Sequence, residues 1–439
     1  MNCSQTHKSK LNNLRLRLVA AVFVVLMLVA AVSTLVKTEP TVHAVSDDED
    51  FVSGEVVVQL LSTSDLAGVA ALYSLDPNPV DQFGSRPIYR LRIRDGAQVE
   101  DRVAQLEGDG RVAFAEPNFI EKPPEGGGNG WSVGNGWSVG TPSAYTAQWA
   151  PQTIRLADAQ KINRGIGADG KPVKIAVLDT GVDVTHPALA GHLLPGFDFV
   201  DFDNDPSEVG NQSIGPYGHG THVAGLIALV APDAKIIPVR VLDPRGLGNT
   251  WVLAEALAYA VDPDGNPATR DGADVINLSL STLRRTRLLE NVLARVCNDG
   301  NNDFPAVGNS KLVVVAAAGN GGDFEEQYPA AEGVNGLIAV AASTQQDKLA
   351  TFSTRGSWIR IASPGVGITS TVPGGQFGTW NGTSMAAPLV AAAAALIHAQ
   401  YPSTRNDKIV DHIAKTGKRI DGPVQARLDV GNALKTDPR

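Results

Sequence analysis

The alternation of apolar and polar residues between positions 51 and 120 predicts a small α+β domain. Gly54 to Leu61 is a β-branched run typical of a strand, and Ile88 to Arg94 alternates as a half-buried strand does. Ser64 caps one apolar-periodic helix, and apolar residues recur at helical spacing from Val99 to Leu106. With a last strand near Val112 to Phe114, the order is β-α-(β)-β-α-β, the split βαβ pattern of ferredoxin-like folds.

A longer region, residues 145 to 435, alternates short apolar runs with helical patterns. This alternation predicts an α/β domain with a mainly parallel, twisted sheet and helices on both faces. Functional groups are then expected at the carboxyl ends of the strands. The predicted strands are Val173 to Leu178, Lys235 to Val241, Ala273 to Leu278, Leu312 to Ala317 and Gly336 to Ala341.

Residues 121 to 144, between the two domains, are rich in Pro, Gly and Asn. The unit Asn129-Gly130-Trp131-Ser132-Val133-Gly134 recurs at residues 135 to 140, and nothing in this stretch can bury a core. A flexible linker is the simplest interpretation. Docking of the two tryptophans in a groove or on a glycan is the alternative.

Residues 1 to 44 have the layout of a targeting segment. Basic residues precede an apolar run from Leu18 to Val36, and the small-residue site Val42-His43-Ala44 follows. The pattern predicts a signal peptide and export. Because the run reaches the length of a membrane span, a retained signal anchor with the second domain outside is the alternative.

Composition narrows the classes of partner. The 439 residues are 43% apolar and 19% charged, with a formal net charge of −9. An acidic chain argues against binding to nucleic acid or anionic lipid, which requires basic clusters. The two cysteines are Cys3, in the targeting segment, and Cys297, so no intrachain disulfide is expected in an exported protein.

Three motifs far apart in the chain supply an aspartate, a histidine and a serine. A serine hydroxyl is a poor nucleophile unless an imidazole takes its proton and a carboxylate fixes the imidazole tautomer. Asp179 follows a predicted buried strand, and Ser384 precedes an Ala-rich helix whose N-terminus would favour an oxyanion. The motifs are Val177-Leu178-Asp179-Thr180-Gly181, Gly218-His219-Gly220-Thr221-His222 and Gly382-Thr383-Ser384-Met385-Ala386-Ala387-Pro388.

The order Asp, His, Ser is that of subtilisin and differs from the orders of chymotrypsin and the α/β-hydrolases. From about Gln148 to Val430 the chain therefore resembles the subtilisin family of serine endopeptidases, in particular its thermitase-like members. The resemblance implies that Asp179 orients His219, that His219 is the general base and that Ser384 is the nucleophile. It also implies that residues 51 to 120 are a propeptide, which keeps a secreted zymogen inhibited.

The resemblance extends to the oxyanion hole and the substrate groove. Asn320 matches the asparagine whose side-chain N–H joins the backbone N–H of the nucleophile. Polypeptide substrates would add as a strand between two segments, and a third would form a wall of the pocket for P1, the residue before the cleaved bond. These segments are Gly246-Leu247-Gly248, Ser279-Leu280-Ser281 and Ala317-Ala318-Gly319.

The P1 wall suits a bulky apolar side chain, although Ser281 stands where the family usually has glycine. Nearby Asp323, Glu325 and Glu326 leave a basic P1 residue as the alternative. Two further histidines, His222 and His186, are interpreted as structural. A pair at i and i+3 such as His219 and His222 could ligate zinc, but the further ligands of such a site are missing from the motif.

Four carboxylates crowd one short loop, and together they predict a structural calcium site, because calcium accepts six to eight oxygens in irregular geometry. The loop resembles the calcium loop of thermitase-like proteins, and a solvated acidic turn is the alternative. Ala188, where many relatives carry an acid, argues against a second site. No catalytic cofactor is expected. The four residues are Asp198, Asp201, Asp203 and Asp205.

Two other functions compete with a secreted serine endopeptidase. A binding module on an inactive protease fold would have lost a member of the triad or the oxyanion asparagine, and all four are present. A serine esterase or lipase of the α/β-hydrolase type is opposed by the order of the motifs.

Overall fold

The computed structural model describes residues 50–124, 138–266, 269, 271–298, 312–424 and 426–438. The predicted targeting segment and the first copy of the Trp-containing repeat lie outside the described residues.

The N-terminal domain is an antiparallel sheet with two helices, as the sequence predicted. Its strands lie in the order β2-β3-β1-β4. The elements are β1 (Phe51–Leu60), a 3-10 turn (Thr63–Asp65), α1 (Leu66–Leu72), β2 (Asp81–Gln82), β3 (Ile88–Arg92), α2 (Val99–Glu107) and β4 (Val112–Glu121).

Successive side chains of a strand point to opposite sides, and in this sheet the side chains on both sides are apolar. Val56 and Val58 pack with residues of α1 and α2 in a small core. Val57 and Phe114 face the other way, into the core of the second domain. The N-terminal domain is therefore built to lie against the second domain.

The second domain contains the remaining elements. Its strands are β5 (Ser138–Val139), β6 (Lys174–Asp179), β7 (Phe197–Asp198), β8 (Lys235–Arg240), β9 (Gly248–Asn249), β10 (Val275–Leu278), β11 (Val313–Ala317), β12 (Leu337–Ser343), β13 (Ile361–Pro364), β14 (Ile368–Val372), β15 (Gln376–Trp380), β16 (Lys418–Arg419) and β17 (Ala426–Arg427). Its helices are α3 (Pro142–Ala147), α4 (Trp149–Thr153), α5 (Leu156–Gln160), α6 (His219–Val230), α7 (Thr250–Val261), α8 (Arg287–Asn298), α9 (Thr383–Gln400), α10 (Asn406–Thr416) and α11 (Val430–Lys435), with a 3-10 turn at Pro187–Leu189.

Nine strands form the main sheet, in the order β16-β17-β13-β12-β11-β10-β6-β8-β7. Strands β6 to β13 of this sheet pair in parallel, which confirms the predicted α/β fold. Ile175 and Val177 of β6 lie in the core that includes α6 and α9, whereas Ala176 and Leu178 lie in the core of α7 and α8. Continuous apolar runs are thus explained by burial on both faces.

Helix α9 is long and apolar enough to cross a membrane by length and composition, but 89% of it is buried inside the structure. Its alanines allow it to pack closely against β11 and β12. We interpret it as the core helix of this domain.

The structure extends one element well beyond its predicted end. Strand β4 continues to Glu121, where residues 120 and 121 pair antiparallel with Asn249 and Gly248 of β9. A single five-stranded sheet, β2-β3-β1-β4-β9, therefore joins the two domains. The extension depends on a partner more than 120 residues away, so no local pattern indicates it.

Candidate active site

Asp179 and His219 meet at the point where the strand order of the main sheet reverses. Asp179 ends β6, which has β8 on one side and β10 on the other, and His219 begins α6. Asp179 Oδ1 lies 2.7 Å from His219 Nδ1, and both side chains are fully buried. Such crevices at the carboxyl ends of parallel strands are the usual sites of function in open α/β sheets.

Two glycines allow the backbone of these motifs to approach closely. A Cβ atom on Gly220 would lie 2.1 Å from the carbonyl oxygen of Gly181. A Cβ atom on Gly181, whose φ is +109°, would lie 2.7 Å from the carbonyl oxygen of Ser207. Both positions therefore require glycine for Asp179 and His219 to come together.

Ser384 is the second residue of α9, at the helix end where backbone N–H groups lack partners within the helix. Its hydroxyl donates to the carbonyl oxygen of Ser279 at 3.4 Å, and the Ser279 hydroxyl donates to the Ser384 carbonyl oxygen at 3.1 Å. Ser279 directly follows β10, the neighbour of β6. The serine is thereby fixed to the strand beside the one that carries Asp179.

Asn320 follows β11 and is anchored beside the same helix end. Its Oδ1 accepts hydrogen bonds from the backbone N–H of Thr383 at 2.9 Å and from the Thr383 hydroxyl at 3.0 Å. These bonds assign Oδ1 as the acceptor and leave the amide nitrogen as the donor of this side chain. The structure thus brings Asn320 next to Ser384, as an oxyanion hole requires.

His222 and His186 have structural surroundings, in keeping with their interpretation. His222 Nε2 lies 3.1 Å and 3.2 Å from the carbonyl oxygens of Ile368 and Gly378, and burial lowers the His222 pKa to about 3. With this pKa the His222 ring is neutral, and its Nε2–H donates to these carbonyl oxygens. His186 accepts from the Ala188 N–H through Nδ1, and its Nε2 lies 2.8 Å from the Gln376 carbonyl oxygen.

Glu208 is a residue of this site that the sequence did not reveal. Its carboxylate accepts from the hydroxyl groups of Thr180 at 2.9 Å and Thr221 at 3.3 Å, and from the backbone N–H groups of Gly218 and Thr221 at 3.2 Å each. It therefore binds the N-terminus of the helix that begins with His219 and the residue after Asp179. Burial, reinforced by the nearby charge of Asp179, raises the Glu208 pKa to about 7.

The segments predicted to bind substrate flank the end of β4. Glu121 pairs with Gly248 on one side. On the other, the Lys122 N–H donates to the Ser281 carbonyl oxygen at 3.1 Å and the Ser281 N–H donates back at 2.8 Å. An extended segment of this chain thus lies between Gly246–Gly248 and Ser279–Ser281 as an added strand.

The third predicted segment, Ala317 to Gly319, lies at the end of β11 and leads into Asn320. It is linked to the groove through Gln327, because a Cβ atom on Gly319 would lie 2.5 Å from Gln327 Cγ. The hydroxyl of Ser281 donates to Gln327 Oε1 at 3.0 Å. Ser281, which stands where the family usually has glycine, is therefore held against the segment from Ala317 to Gly319.

Two of the four carboxylates predicted to bind calcium have another partner. Asp198 Oδ2 and Asp201 Oδ2 both accept from Nη1 of Arg240, which ends β8 and is buried. Asp203 and Asp205 are exposed and bind backbone N–H groups of the same loop. An ion bound by all four would compete with Arg240, so this arrangement does not fit the predicted ligand set. Arg240 compensates only one of the four negative charges, and calcium binding by this loop stays a prediction.

Elsewhere in the described residues, three carboxylates lie with ligand atoms within 4.8 Å of one another. They belong to Asp262, Asp264 and Asp271, which follow α7 and precede β10. These residues were not predicted as ligands.

The N-terminal domain also caps two helices of the second domain. Glu116 accepts from the backbone N–H groups of Arg287 at 2.8 Å and Leu288 at 3.0 Å, at the start of α8. Asn118 Oδ1 accepts from the N–H of Trp251, at the start of α7, at 3.1 Å. These bonds satisfy helix N–H groups that lack intrahelical partners.

Comparison with known proteins finds relatives of both domains. A model of the subtilase family matches residues 170–431, and a model of the fervidolysin N-terminal prodomain matches residues 37–118. The chain is 34% identical over 397 residues to the thermophilic serine proteinase of Bacillus sp. (strain AK1), which covers 88% of this chain and 87% of that protein. It is 39% identical over 285 residues to thermitase of Thermoactinomyces vulgaris, which covers 63% of this chain and 90% of thermitase.

A solved structure shares the fold. Fervidolysin from Fervidobacterium pennivorans, described as a keratinolytic enzyme related to subtilisin, matches with a TM-score of 0.69 at 22% identity. The match covers 90% of this chain, and the chain spans 63% of the fervidolysin chain.

Proposed function

The chain belongs to the subtilase family of serine endopeptidases and carries an N-terminal prodomain, which makes it a zymogen, and from this premise we propose that Asp179, His219 and Ser384 form its catalytic triad. The observation that carries the assignment is the 2.7 Å contact between Asp179 Oδ1 and His219 Nδ1. It directs the Nδ1–H of the imidazole to the carboxylate and leaves Nε2 as the basic nitrogen.

In the first step the Ser384 Oγ forms a bond to the carbonyl carbon of the substrate while its proton passes to His219 Nε2. The oxygen that becomes negative is stabilised by the backbone N–H of Ser384 and the side-chain N–H of Asn320. The C–N bond then breaks, and His219 returns the proton to the departing amine. Water repeats the sequence on the acyl-enzyme, which releases the acid and restores Ser384.

Polypeptide substrates are proposed to bind as the end of β4 does, as a strand between the Gly246–Gly248 and Ser279–Ser281 segments. Main-chain pairing accepts any sequence, and pockets for alternate side chains then set preference. The prodomain inhibits because Glu121 and Lys122 occupy this groove. We expect maturation to cut within the following Gly-rich stretch.

We also propose that the protein is exported and acts outside the cell, on the basis of its N-terminal apolar segment. The retained membrane anchor is the alternative. Mass spectrometry of the N-terminus of the unprocessed Ser384→Ala precursor decides between them, because cleavage after Ala44 leaves no apolar segment ahead of the prodomain.

The triad is tested by labelling and by substitution. A fluorophosphonate should modify Ser384, and Ser384→Ala and His219→Ala should lose similar large factors in kcat because the triad acts as a unit, on the order of 10⁶ in subtilisin itself. The double variant should lose little more. Replacement of the exposed Ser143 by alanine is the control and should leave labelling unchanged. Modification of any residue other than Ser384 refutes the assignment.

A further inference from the structure

The side chain of Glu121 is enclosed where β4 enters the groove. The residue is 1% exposed, and its Oε1 accepts from the hydroxyl of Thr250, the first residue of α7, at 3.2 Å. Its Oε2 is buried and has no hydrogen-bond partner among the described residues. A carboxylic acid is therefore held in a closed pocket by one neutral hydroxyl.

The charges around this pocket do not compensate a carboxylate. Glu121 forms no ion pair with a described residue, and the nearby Glu332 adds a second negative charge. Glu332 is itself buried, and its Oε2 accepts a hydrogen bond from Nε of Arg285 at 3.3 Å. Its Oε1 has no hydrogen-bond partner in the described part of the chain. The other charged or titratable groups close to Glu332 are Glu116, Glu290 and Tyr328.

A carboxylate in such a site loses hydration without gaining a cation, so the neutral acid is favoured. Burial is the main cause that raises the Glu121 pKa, to about 8, and the charge of Glu332 adds to it. Glu121 is then protonated at neutral pH. The pocket selects a hydrogen-bonding head group and disfavours a negative charge.

We propose that the closed pocket around Glu121, where Thr250 supplies the hydrogen-bond donor, is a substrate subsite for an uncharged, hydrogen-bonding side chain, namely glutamine or protonated glutamate. The proposal rests on the proposed function, since substrate must follow the path of β4. The carbonyl oxygen of a glutamine amide accepts from Thr250 as Glu121 Oε1 does, and a neutral amide adds no negative charge near Glu332. A leucine offers Thr250 no acceptor, so its hydroxyl keeps only the Phe119 carbonyl oxygen at 3.3 Å, and a site built to bind a polar head group discriminates against a side chain that lacks one.

The first experiment measures occupancy of the pocket without any catalysis. In the full-length Ser384→Ala chain, Glu121→Gln should raise the melting temperature at pH 8 and have little effect at pH 5. The reason is that Glu121 binds only as the acid, because its pKa is about 8 in the pocket against an ordinary value of 4.5. Between these values each pH unit weakens the bound state of the parent by up to about tenfold.

The control is Glu107→Gln, a change of an exposed carboxylate of the same domain, which should not alter the pH dependence. Glu121→Leu should melt below Glu121→Gln, and Thr250→Val should remove that difference. An identical pH dependence in the parent and in Glu121→Gln overturns the proposal. That result leaves the triad untouched, because the Ser384→Ala chain needs no activity to be measured.

The second experiment tests the subsite with the mature enzyme and peptides of residues 116–124 that carry Gln, Glu, Leu or Lys at position 121. Inhibition of casein hydrolysis should be strongest with Gln at pH 8, and the advantage of Gln over Glu should shrink by about one to two orders of magnitude between pH 7 and pH 5. Strongest inhibition by the Lys peptide would show that Glu332 selects a cation and would overturn the proposal. Absence of casein hydrolysis itself would instead count against the proposed function.

Discussion

Glu208 offers a sharp test of how the His219 helix is held in place. Its carboxylate accepts four hydrogen bonds, two of them from backbone N–H groups at the start of α6. Replacement by alanine leaves these N–H groups partly buried without a partner, at a cost of about 1–3 kcal/mol for each unsatisfied group. Glu208→Gln keeps one acceptor oxygen and loses the other. We therefore expect Glu208→Ala to destabilise by about 2–6 kcal/mol at pH 5, where Glu208 is uncharged, and Glu208→Gln by roughly half of that. Both losses should be smaller at pH 8, because a Glu208 pKa of about 7 in the folded state means that the ionised carboxylate destabilises the parent above that pH.

The catalytic consequence follows from the position of these bonds. Thr180 follows Asp179, and Gly218 precedes His219, so loosening this end of α6 disturbs the 2.7 Å contact between the two side chains. Misplacement of about 1 Å can cost on the order of 10²-fold in rate. We expect Glu208→Ala to lower kcat about tenfold or more with little change in KM, and to slow the rate of fluorophosphonate labelling of Ser384 in parallel.

The assay separates positioning from stability. Unfolding is followed by circular dichroism at pH 5 and at pH 8, and labelling is measured well below the melting temperature of each variant. A matched control is Asp421→Ala, which removes an exposed carboxylate near the end of the second domain and should change neither quantity. If Glu208→Ala melts lower but labels as fast as the parent, Glu208 only stabilises the fold. If neither quantity changes, the hydrogen bonds at α6 do not have the energies assigned here.

The remaining predictions concern maturation, calcium and specificity. The Ser384→Ala chain should accumulate as unprocessed precursor, and its normal maturation in a protease-free refolding reaction would exclude self-processing. If calcium stabilises the fold, a chelator should lower the melting temperature. Loss of this chelator effect in Asp203→Ala would place the ion on the loop that contains Asp203. Loss of the effect in Asp264→Ala would place it on the group of Asp262, Asp264 and Asp271. Peptide substrates with Phe or Leu at P1 should be cleaved with higher kcat/KM than those with Lys, and the reverse would assign a role to Glu325 and its acidic neighbours.

The parts of the fold that the sequence predicted are those whose cause is local. Apolar runs of β6, β8, β10, β11 and β12 predict buried parallel strands within one or two residues of their observed bounds, because burial on both faces leaves a continuous pattern. The motifs that predict the triad and Asn320 contain glycines with local causes, since Gly181 and Gly220 lie against backbone atoms and Gly319 has a φ of +105°. In each case the residues that determine the structure are close together in the sequence.

The parts that escaped prediction depend on partners distant in the chain. Arg240 is separated by about forty residues from Asp198 and Asp201, so the sequence of the acidic loop does not indicate the arginine that pairs with these two carboxylates. Glu208 lies in an irregular stretch without apolar periodicity, and its role appears only once the start of α6 is folded beside it. The predicted linker from residue 121 in fact begins with Glu121 and Lys122 as paired strand residues.

The same long-range pairing explains why an inhibitory domain should also help the enzyme to fold. Parallel sheets form slowly because their contacts join segments that are distant in the sequence. The entropy of closing the intervening loops is lost before the strand contacts stabilise the chain. Glu116 and Asn118 satisfy N–H groups at the starts of α8 and α7, and β4 supplies a paired edge for β9. We expect these contacts to hold α7, α8 and the groove in their final relation while the main sheet forms. Because they end at Glu121, in the groove itself, a domain that stabilises the folded enzyme must also block it until the chain is cut.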